Sequence, residues 1–309
     1  MAASLTFNSN GQFKIVQFTD LHWADGGDNN RKTLELMERV IAEEQPDLVV
    51  VTGDVIEDGC CTDPSQSIRE AVGPMEKSGT PWALVFGNHD SEARISREHL
   101  LASLAGVQHS LTERGPYSIT GIGNYIIRLN GRDGNLVNAL FFMDSGDYAE
   151  ARIGGYAGFQ RDQINWFARE SESLAGENGG VPVPAMAFFH IPLPEYNDAW
   201  DFHLCYGHKR EQVCCPLINT GMFATMVQAG NVYATFAGHD HDSDFYGEMF
   251  GISLGYGRKT GYNNYMREDL AKGARVIVLE EGVRGFRTWL RLDNGETMEQ
   301  SAHLPEGRK

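Results

Sequence analysis

Short apolar runs recur along the first third of the chain, and each run ends in small and then polar residues. Three such runs are FKIVQFTDLH, PDLVVVTGDV and TPWALVFGNHD. Their length and β-branched content predict strands that are buried on both faces. RKTLELMERVIAEEQ, between the first two runs, has apolar residues at helical spacing, and SQSIREAVGPMEKSG is a weaker helical candidate before the third. This alternation predicts βαβ units and a largely parallel sheet.

The rest of the chain predicts more strands and one further helix. The later strand candidates are NALFFMD, PAMAFFH, NVYATFAG, ARVIVLEE and FRTWLRLDNGE. GFQRDQINWFARESESLA is predicted to form a helix between the first two of these strands. We expect one α/β domain over residues 1–309 that becomes more antiparallel toward its end, because no linker, repeat or low-complexity tract interrupts the pattern.

Two polar segments are predicted to be surface loops. They are ENGGVPVP and EYNDAWDFHLCYGHKREQVCCP, and the second is long enough to form a lid or the rim of a site. We expect the loops around residues 145 to 160 and 195 to 216 to determine which substrate the protein accepts.

Composition and charge narrow the class of partner. The 309 residues are 41% apolar and can bury a large core, while a net charge of -16 argues against nucleic acid or an anionic membrane as a partner. No apolar run approaches the roughly 20 residues of a membrane span. The first residues, MAASLTFNSNGQF, lack the pattern of a signal peptide, so we expect a cytoplasmic protein.

The five cysteines predict free thiols. They occur as two adjacent pairs, Cys60–Cys61 and Cys214–Cys215, and as a single Cys205. This odd number, without CxxC spacing, is typical neither of a secreted disulfide framework nor of a zinc ribbon. A disulfide between the two pairs is the alternative.

Polar residues that can bind a metal stand where the predicted strands end. They are Asp20, His22, Asp54, Asn88, His89, His190, His239 and His241. Sites in parallel α/β sheets form at the carboxyl ends of the strands, so we expect these side chains to meet. Asp20 and His22 are two residues apart, and both would leave the same face of an extended strand end.

The donor types favour a pair of metal ions. Nitrogen and oxygen donors without cysteine suit first-row divalent metals, and Mn, Fe, Zn, Co and Ni all remain open. Without His89 the set has seven donors, more than the four of a structural zinc site. Two metals that share a carboxylate would use all seven, and two-metal sites serve in-line displacement at phosphorus.

Five motifs in this order resemble the calcineurin-like metallophosphoesterase superfamily. They are DLH, GDVIED, GNHD, the histidine of FFHIPLP, and GHDH, spread over residues 20 to 241. The resemblance implies a four-layer αββα sandwich of mixed sheets flanked by helices. It also implies two sets of metal ligands, with Asp20, His22 and His241 on one metal, Asn88, His190 and His239 on the other, and Asp54 bridging them.

The same resemblance implies a reaction. In that family a metal-bound hydroxide attacks phosphorus, and the cations neutralise the phosphoryl oxygens. His89 resembles the histidine that stabilises or protonates the leaving group, with Asp90 as a residue that orients it. Arg258 and Lys259 in GYGRKTGY are candidate donors to a substrate phosphate, and a solvated turn is the alternative. Trp23 and Tyr196 are weaker candidates to flank the substrate.

Finer motifs indicate a branch of this superfamily. Purple acid phosphatases have a tyrosine ligand three residues after the bridging aspartate, where this chain has Glu57, so we do not expect their colour. HIPLPEY, NTGMF and GHDHDSDFYGE are similar to the non-purple, Dcr2-type phosphoesterases.

We therefore predict a metal-dependent hydrolase of phosphomonoesters that acts on a small-molecule or protein phosphoester. Three alternatives stay open. They are a phosphodiesterase with the same site, a scaffold of this fold that has lost catalysis, and a structural metal-binding module that has no need of His89.

Overall fold

The computed structural model describes residues 3–305. The strands are β1 (Ser4–Thr6), β2 (Gln12–Phe18), β3 (Leu48–Thr52), β4 (Trp82–Val85), β5 (Tyr125–Asn130), β6 (Leu136–Phe142), β7 (Ala185–Phe188), β8 (Cys205–Tyr206), β9 (Val232–Ala237), β10 (Tyr246–Met249), β11 (Ile252–Tyr256), β12 (Gly273–Glu280), β13 (Arg287–Leu292), β14 (Thr297–Met298) and β15 (Ala302–His303). The helices are α1 (Asp28–Glu44), α2 (Pro64–Ala71), α3 (Gly73–Ser78), α4 (Arg97–Ser103), α5 (Arg161–Glu177), α6 (Glu195–Phe202) and α7 (Met222–Ala229), with short 3₁₀ turns at Asp58–Cys60 and His89–Ser91.

The strands form two mixed sheets. Within the described residues, one sheet has six strands in the order β14-β13-β12-β2-β3-β4, and the other has nine in the order β1-β5-β6-β7-β9-β11-β10-β8-β15. The first three predicted strands are β2, β3 and β4, and they pair in parallel. The predicted antiparallel end of the chain is also present, because β12 pairs with β13 and β13 with β14 in antiparallel fashion.

The alternation of side chains along the strands builds the layers. In β3, Leu48 and Val50 pack between the two sheets, whereas Val49 and Val51 pack against the helices outside. Between the sheets, Phe188 of the nine-stranded sheet stacks on Phe142 and Phe236, with ring centroids 5.3 and 5.9 Å apart. Strands buried on both faces need apolar residues at every position, which explains the uninterrupted runs in the sequence.

Helices cover the outer face of each sheet. Side chains of α1 to α4, such as Met37 and Leu100, pack on the six-stranded sheet, and side chains of α5 to α7, such as Phe167 and Phe223, pack on the other. This order of layers is αββα, and the predicted fold class is confirmed.

The prediction of a surface loop over residues 195 to 216 is wrong in part. The segment contains α6, and β8 pairs with β10 through Cys205 and Gly247. Tyr196 is buried in α6, where its hydroxyl lies 2.9 Å from Thr235 Oγ1, so it packs in the core and does not flank a substrate. In the sequence of α6, EYNDAWDF, the two buried residues are Tyr196 and Ala199, and polar residues surround them. Two buried positions are too few to predict a helix from sequence.

Cysteine chemistry agrees with the sequence prediction. All five cysteines are free thiols, and burial raises the pKa of Cys205 to about 12.

Among the described residues, no helix combines the length and apolar character needed to cross a membrane. The boundary of a single domain over residues 1–309 stays a prediction.

Candidate metal centre

The candidate ligands follow the carboxyl ends of five strands drawn from both sheets. β2, β3 and β4 contribute from the six-stranded sheet, and β7 and β9 contribute from the nine-stranded sheet. Each of these strands is parallel to a neighbour, so their ends meet at one edge of the sandwich. All seven predicted ligands are at most 8% exposed. The structure therefore brings together every residue that the motifs singled out as a metal ligand.

One group consists of Asp20, His22 and His241. The Nε2 atoms of the two histidines lie 3.0 Å apart, and Asp20 Oδ1 lies 3.6 Å from His241 Nε2. The Asp20 carboxylate is held in place by the Thr19 hydroxyl at 2.8 Å and by the backbone N–H of His239 at 3.1 Å. One donor atom from each member of the group lies within 4.8 Å of the others, so a single ion can contact all three.

A second group surrounds His190. Its Nε2 lies 3.2 Å from Asp54 Oδ2, 3.2 Å from Asn88 Oδ1 and 3.2 Å from His239 Nδ1. Asp54 Oδ2 also lies 3.6 Å from Nε2 of His22 in the first group. The carboxylate of Asp54 therefore stands between the two groups.

Backbone conformation at the strand ends differs from the expectation. Asp20, His22, Asp54 and His239 have φ values of 54°, 46°, 49° and 77°, in the left-handed region that side chains other than glycine rarely adopt. The extended geometry predicted for Asp20 and His22 is thus wrong, although both side chains do reach one site. The chain turns sharply at each residue and presents the side chain to the centre from the turn.

Two glycines make room for these side chains. Gly53 has a φ of 86°, and a Cβ there would lie 2.4 Å from the His190 ring. A Cβ on Gly87 would lie 2.1 Å from Asp54 Oδ1. The glycines of GD and GNH are therefore needed because a larger residue would occupy the space of a ligand.

Burial and neighbouring charges shift the pKa values of the ligands. Burial lowers the pKa of His22 to about 4 and that of His239 to about 3. Burial alone would also lower the pKa of His190, but the Asp54 carboxylate outweighs it and raises that pKa to about 9. For Asp54, burial is outweighed by His190, and the pKa of the carboxylate falls well below its usual value. The centre thus holds ionised carboxylates beside imidazoles.

Hydrogen bonds on the outer side of three rings show that the residues fit metal ions. Nδ1 of His22 contacts Glu57 Oε2 at 2.5 Å, and Nδ1 of His190 and of His241 each lie 2.8 Å from a backbone carbonyl, those of Thr52 and Tyr265. Carbonyl and ionised carboxylate oxygens only accept, so each Nδ1 carries a proton and Nε2 faces inward as the potential ligand atom. A cation can take the place of the proton that otherwise lies between His190 and Asp54.

His89 lies at the edge of the centre and is partly exposed. Its backbone N–H donates to Asp54 Oδ1 at 2.9 Å, and its Nδ1 lies 3.0 Å from Glu92 Oε1 and 3.3 Å from Glu57 Oε1. Burial would lower the pKa of His89, but Asp54, Glu92 and Glu57 outweigh this effect and raise it. The side chain is therefore placed to hold a proton beside the two metal groups.

Asp90 was expected to orient His89, but in the structure it connects two loops instead. Its carboxylate is fully buried and accepts the backbone N–H groups of Gly87 at 2.7 Å and Ile56 at 2.9 Å. It thereby joins the loop after β4 to the loop after β3, which carry Asn88 and Asp54. The ring of His89 is instead contacted by glutamates.

Arg258 does not face the centre, so the structure does not support its predicted contact with a substrate phosphate. Its guanidinium is buried, forms an ion pair with Asp244, and donates to the Ala271 carbonyl at 2.7 Å. The neighbouring Lys259 points the other way, and its Nζ donates to the Asp20 carbonyl at 3.0 Å. Lys259 is 1% exposed, so it stabilises the turn at Asp20 from inside the protein.

Sequence reasoning missed two aromatic residues on the loop that follows β6. The Tyr148 hydroxyl lies 3.1 Å from Asn88 Nδ2, and the Tyr156 ring meets the His239 ring edge-on, with centroids 4.3 Å apart. Tyr148 and Tyr156 pair with each other through an isolated bridge. The two tyrosines belong to no sequence motif, because the residues that they contact, Asn88 and His239, lie 60 and 83 positions away in the chain.

Comparisons with known proteins agree with this geometry. The sequence profile described as Calcineurin-like phosphoesterase matches residues 13–243. A relative from Arabidopsis thaliana, named Probable inactive purple acid phosphatase 29, is 34% identical over 94% of this chain and 85% of its own. Phosphatase DCR2 of Saccharomyces cerevisiae is 30% identical over 79% of this chain and 46% of its own.

A solved structure shows the same fold. The dimetal phosphatase from Danio rerio superposes with a TM-score of 0.59 at 15% identity, covering 89% of this chain and 98% of its own. The profile match spans more than half of the residues, and the motifs that it covers form the centre described above. The chain therefore belongs to the calcineurin-like phosphoesterase family.

Proposed function

We propose that this protein is a binuclear metal-dependent hydrolase of phosphomonoesters. The observation that carries the proposal is the convergence of seven buried donors in two groups, with Asp54 between them. Asp20, His22 and His241 would hold one cation, Asn88, His190 and His239 would hold the other, and Asp54 would contact both. Two divalent cations bound there would supply an activated water at neutral pH and charge neutralisation of the phosphoryl oxygens.

The protein's own residues contribute orientation and a proton. Glu57 and Glu92 accept from the Nδ1–H of His89 and keep its imidazole protonated, so the proton on its other ring nitrogen, Nε2, can be given to the departing alkoxide of the ester. Thr19 and the backbone N–H of His239 hold the Asp20 carboxylate in place. Lys259 supports the turn at Asp20 from the protein interior.

The name of the Arabidopsis relative includes the words probable inactive, whereas the yeast relative is named a phosphatase. A scaffold without activity would tolerate loss of ligands. In this chain the seven donors and His89 are all present, and the seven donors are buried and close together. This complete set supports catalysis.

Hydrolysis of phosphodiesters is the second candidate. The glutamates beside the centre, Glu57 and Glu92, are partly exposed, and Arg258 is paired with Asp244 inside the protein. A diester carries one charge fewer than a dianionic monoester, so it needs less help from cationic side chains. These carboxylates, and the absence of Arg258 from the site, therefore support phosphodiesters as a second class of substrate.

The test is metal analysis of the purified protein with parallel assays of p-nitrophenyl phosphate and bis-p-nitrophenyl phosphate, after loading with Mn, Fe, Zn, Co or Ni. We expect two metal ions per chain and faster turnover of the monoester. His89→Asn should lower kcat about 10²- to 10⁴-fold without loss of metal. His99→Asn, on the exposed side of α4, is the matched control and should change neither.

The outcomes separate the candidates. Faster turnover of the diester would favour the second candidate, and two bound metals without turnover of either ester would favour the scaffold. Unchanged turnover in His89→Asn would contradict the proposed role of His89.

A further inference from the structure

The side chain of Tyr148 lies at the edge of the metal centre, beside the candidate ligand Asn88. Tyr148 is 48% exposed, whereas Asn88 is 1% exposed. The Tyr148 hydroxyl oxygen lies 3.1 Å from Nδ2 of Asn88 and 3.1 Å from Oε2 of Glu92. Oε1 of the same glutamate lies 3.0 Å from Nδ1 of His89. These contacts connect a candidate metal ligand to His89 through one tyrosine and one glutamate.

The chemistry of these groups fixes the direction of each hydrogen bond. A glutamate carboxylate only accepts, so the single hydroxyl proton of Tyr148 is donated to Glu92. The Tyr148 oxygen can then only accept from its other neighbour, so the part of the Asn88 amide that faces it must be the NH₂ group. The amide oxygen of Asn88 is thereby turned the other way, where it lies 3.2 Å from Nε2 of His190. A metal ion needs this orientation, because an amide binds a cation through its oxygen.

No second contact of this kind holds the amide of Asn88. The two ends of an amide differ little in size, so hydrogen bonds decide which end faces a cation. Nδ1 of His190 donates to the Thr52 carbonyl at 2.8 Å, and its Nε2 faces the centre as a potential ligand, so His190 has no proton to give to Asn88 when a cation is bound. Within residues 3–305, the Tyr148 hydroxyl is the only hydrogen-bond acceptor of Asn88 Nδ2.

The loop that carries Tyr148 holds its ring without help from the hydroxyl. The backbone N–H of Ala149 donates to the Gly155 carbonyl at 2.9 Å. The Tyr148 ring also stacks on the Tyr156 ring, with centroids 5.8 Å apart and an angle of 26° between the planes. Tyr148→Phe should keep these contacts, and it therefore isolates the contribution of the hydroxyl.

We propose that Tyr148 is a positioning residue whose hydroxyl turns the Asn88 oxygen toward the cation that Asn88, His190 and His239 would share. The inference rests on the proposed function, because it assigns Asn88 to a bound metal ion. It adds a residue outside the five motifs to those that determine how strongly the centre binds metal. Partners that orient a ligand from outside the metal site typically contribute roughly 10- to 100-fold to metal affinity.

The test is calorimetric titration of the metal-free full chain with Mn²⁺. In Tyr148→Phe, the Kd of one of the two ions should rise about 10- to 100-fold. The unfolding temperature of the metal-free protein should stay the same, because the ring is half exposed and keeps its packing. Tyr117→Phe is the matched control and should change neither quantity, because that tyrosine is 84% exposed and its ring packs on Arg114.

A second variant distinguishes orientation of the amide from a general effect on structure. Asn88→Asp places an oxygen at both ends of the group, so the side chain needs no partner to turn it. In this background Tyr148→Phe should weaken Mn²⁺ binding by less than about twofold, since the two substitutions would remove the same interaction.

The outcomes separate this inference from the hydrolase proposal. If Tyr148→Phe weakens Mn²⁺ binding only where Asn88 is present, and neither nitrophenyl ester is hydrolysed, the positioning role stands and the hydrolase proposal falls. If the unsubstituted protein hydrolyses an ester and Tyr148→Phe binds Mn²⁺ equally tightly, the reverse holds. The positioning role would also be overturned by an equal loss of affinity in both backgrounds, by a lower unfolding temperature of metal-free Tyr148→Phe, or by a lack of Mn²⁺ binding to the unsubstituted protein.

Discussion

At the scale of single residues, the candidate ligands hold conformations that cost free energy. Left-handed backbone at a residue other than glycine costs on the order of 1–3 kcal/mol, and such residues gather at functional sites. Asp20, His22, Asp54 and His239 are four of the seven examples within residues 3–305. Each follows a buried strand that holds the chain on one side. The packed strands therefore stabilise the left-handed conformation that these ligands adopt.

The space at Gly53 leads to a prediction about metal content. Gly53→Ala should push His190 from its position, because the new Cβ would lie 2.4 Å from the ring and the backbone there has a φ of 86°. We expect fewer bound metal ions by elemental analysis and a free energy of unfolding lower by at least about 1 kcal/mol. A variant that keeps two ions per chain would contradict this account of the glycine.

The Arg258 ion pair leads to a prediction about stability. Arg258→Met removes the guanidinium that is paired with the buried Asp244, while His208 and Arg275 stay near this carboxylate. The free energy of unfolding should therefore fall by more than about 1 kcal/mol in urea titration, but by less than the about 3–5 kcal/mol of a buried charge left without any partner. Arg267→Met removes an exposed ion pair with Asp269 and should cost less than about 1 kcal/mol. If Arg258→Met slowed turnover without lowering stability, that result would support the contact of Arg258 with a substrate phosphate that the sequence predicted.

At the scale of elements, the break between α2 and α3 follows a local sequence rule for proline. The segment predicted as one helix over SQSIREAVGPMEKSG forms α2 and α3, which meet at Val72. Pro74 stands in the first turn of α3, the position where proline is tolerated because its missing N–H is not needed. Proline inside a longer helix would remove a hydrogen bond, and the chain starts a new helix instead.

Gly73 in the first turn of α3 offers a stabilising substitution. It has no positive φ, and a Cβ there would meet nothing within 4 Å. Gly73→Ala should raise the free energy of unfolding by about 0.4–1 kcal/mol, because alanine loses less backbone entropy on folding. Thermal and urea unfolding measure the effect, and Gly53→Ala, with the opposite expected sign, is the matched comparison. A clear loss of stability would show that the junction of α2 and α3 needs glycine.

At the scale of the whole molecule, the centre depends on the packing of the two sheets. Asp20, Asp54 and Asn88 follow strands of one sheet, and His190 and His239 follow strands of the other. Neither sheet alone carries a complete set for either group, because His241 also comes from the nine-stranded side. Formation of the centre and formation of the apolar layer between the sheets are therefore coupled.

This coupling predicts that metal stabilises the fold. Ions that bind only the folded protein should raise the free energy of unfolding by about 2.7 kcal/mol at a free concentration 100 times Kd. Thermal unfolding in Mn²⁺ and in chelator measures the difference. Asp54→Asn should abolish most of it, because this carboxylate lies between both groups, whereas His99→Asn should keep it. The same unfolding temperature in metal and in chelator would contradict ion binding at the centre.

Prediction from sequence succeeded where the signal is local. Strands β2, β3, β4, β7 and β9 were each visible as an apolar run followed by polar residues, because a strand buried on both faces leaves little choice of residue. It failed for α6 and β8, whose burial depends on contacts with distant strands. Arg258 and Lys259 show the limit most clearly, because adjacent cations in one turn point to different partners.

The sequence by itself determined the family, through the order of its motifs, and the residues that stand at the strand ends, through its apolar runs, because both are properties of the chain read along its length. The order of the layers followed only as an implication of the family resemblance. Only the tertiary structure decided the left-handed turns at the ligands, the pairing of Arg258 with Asp244, and the contacts of Tyr148 with Asn88 and Glu92 beside the centre. These features depend on contacts between residues far apart in sequence, and such contacts exist only once the two sheets have packed together.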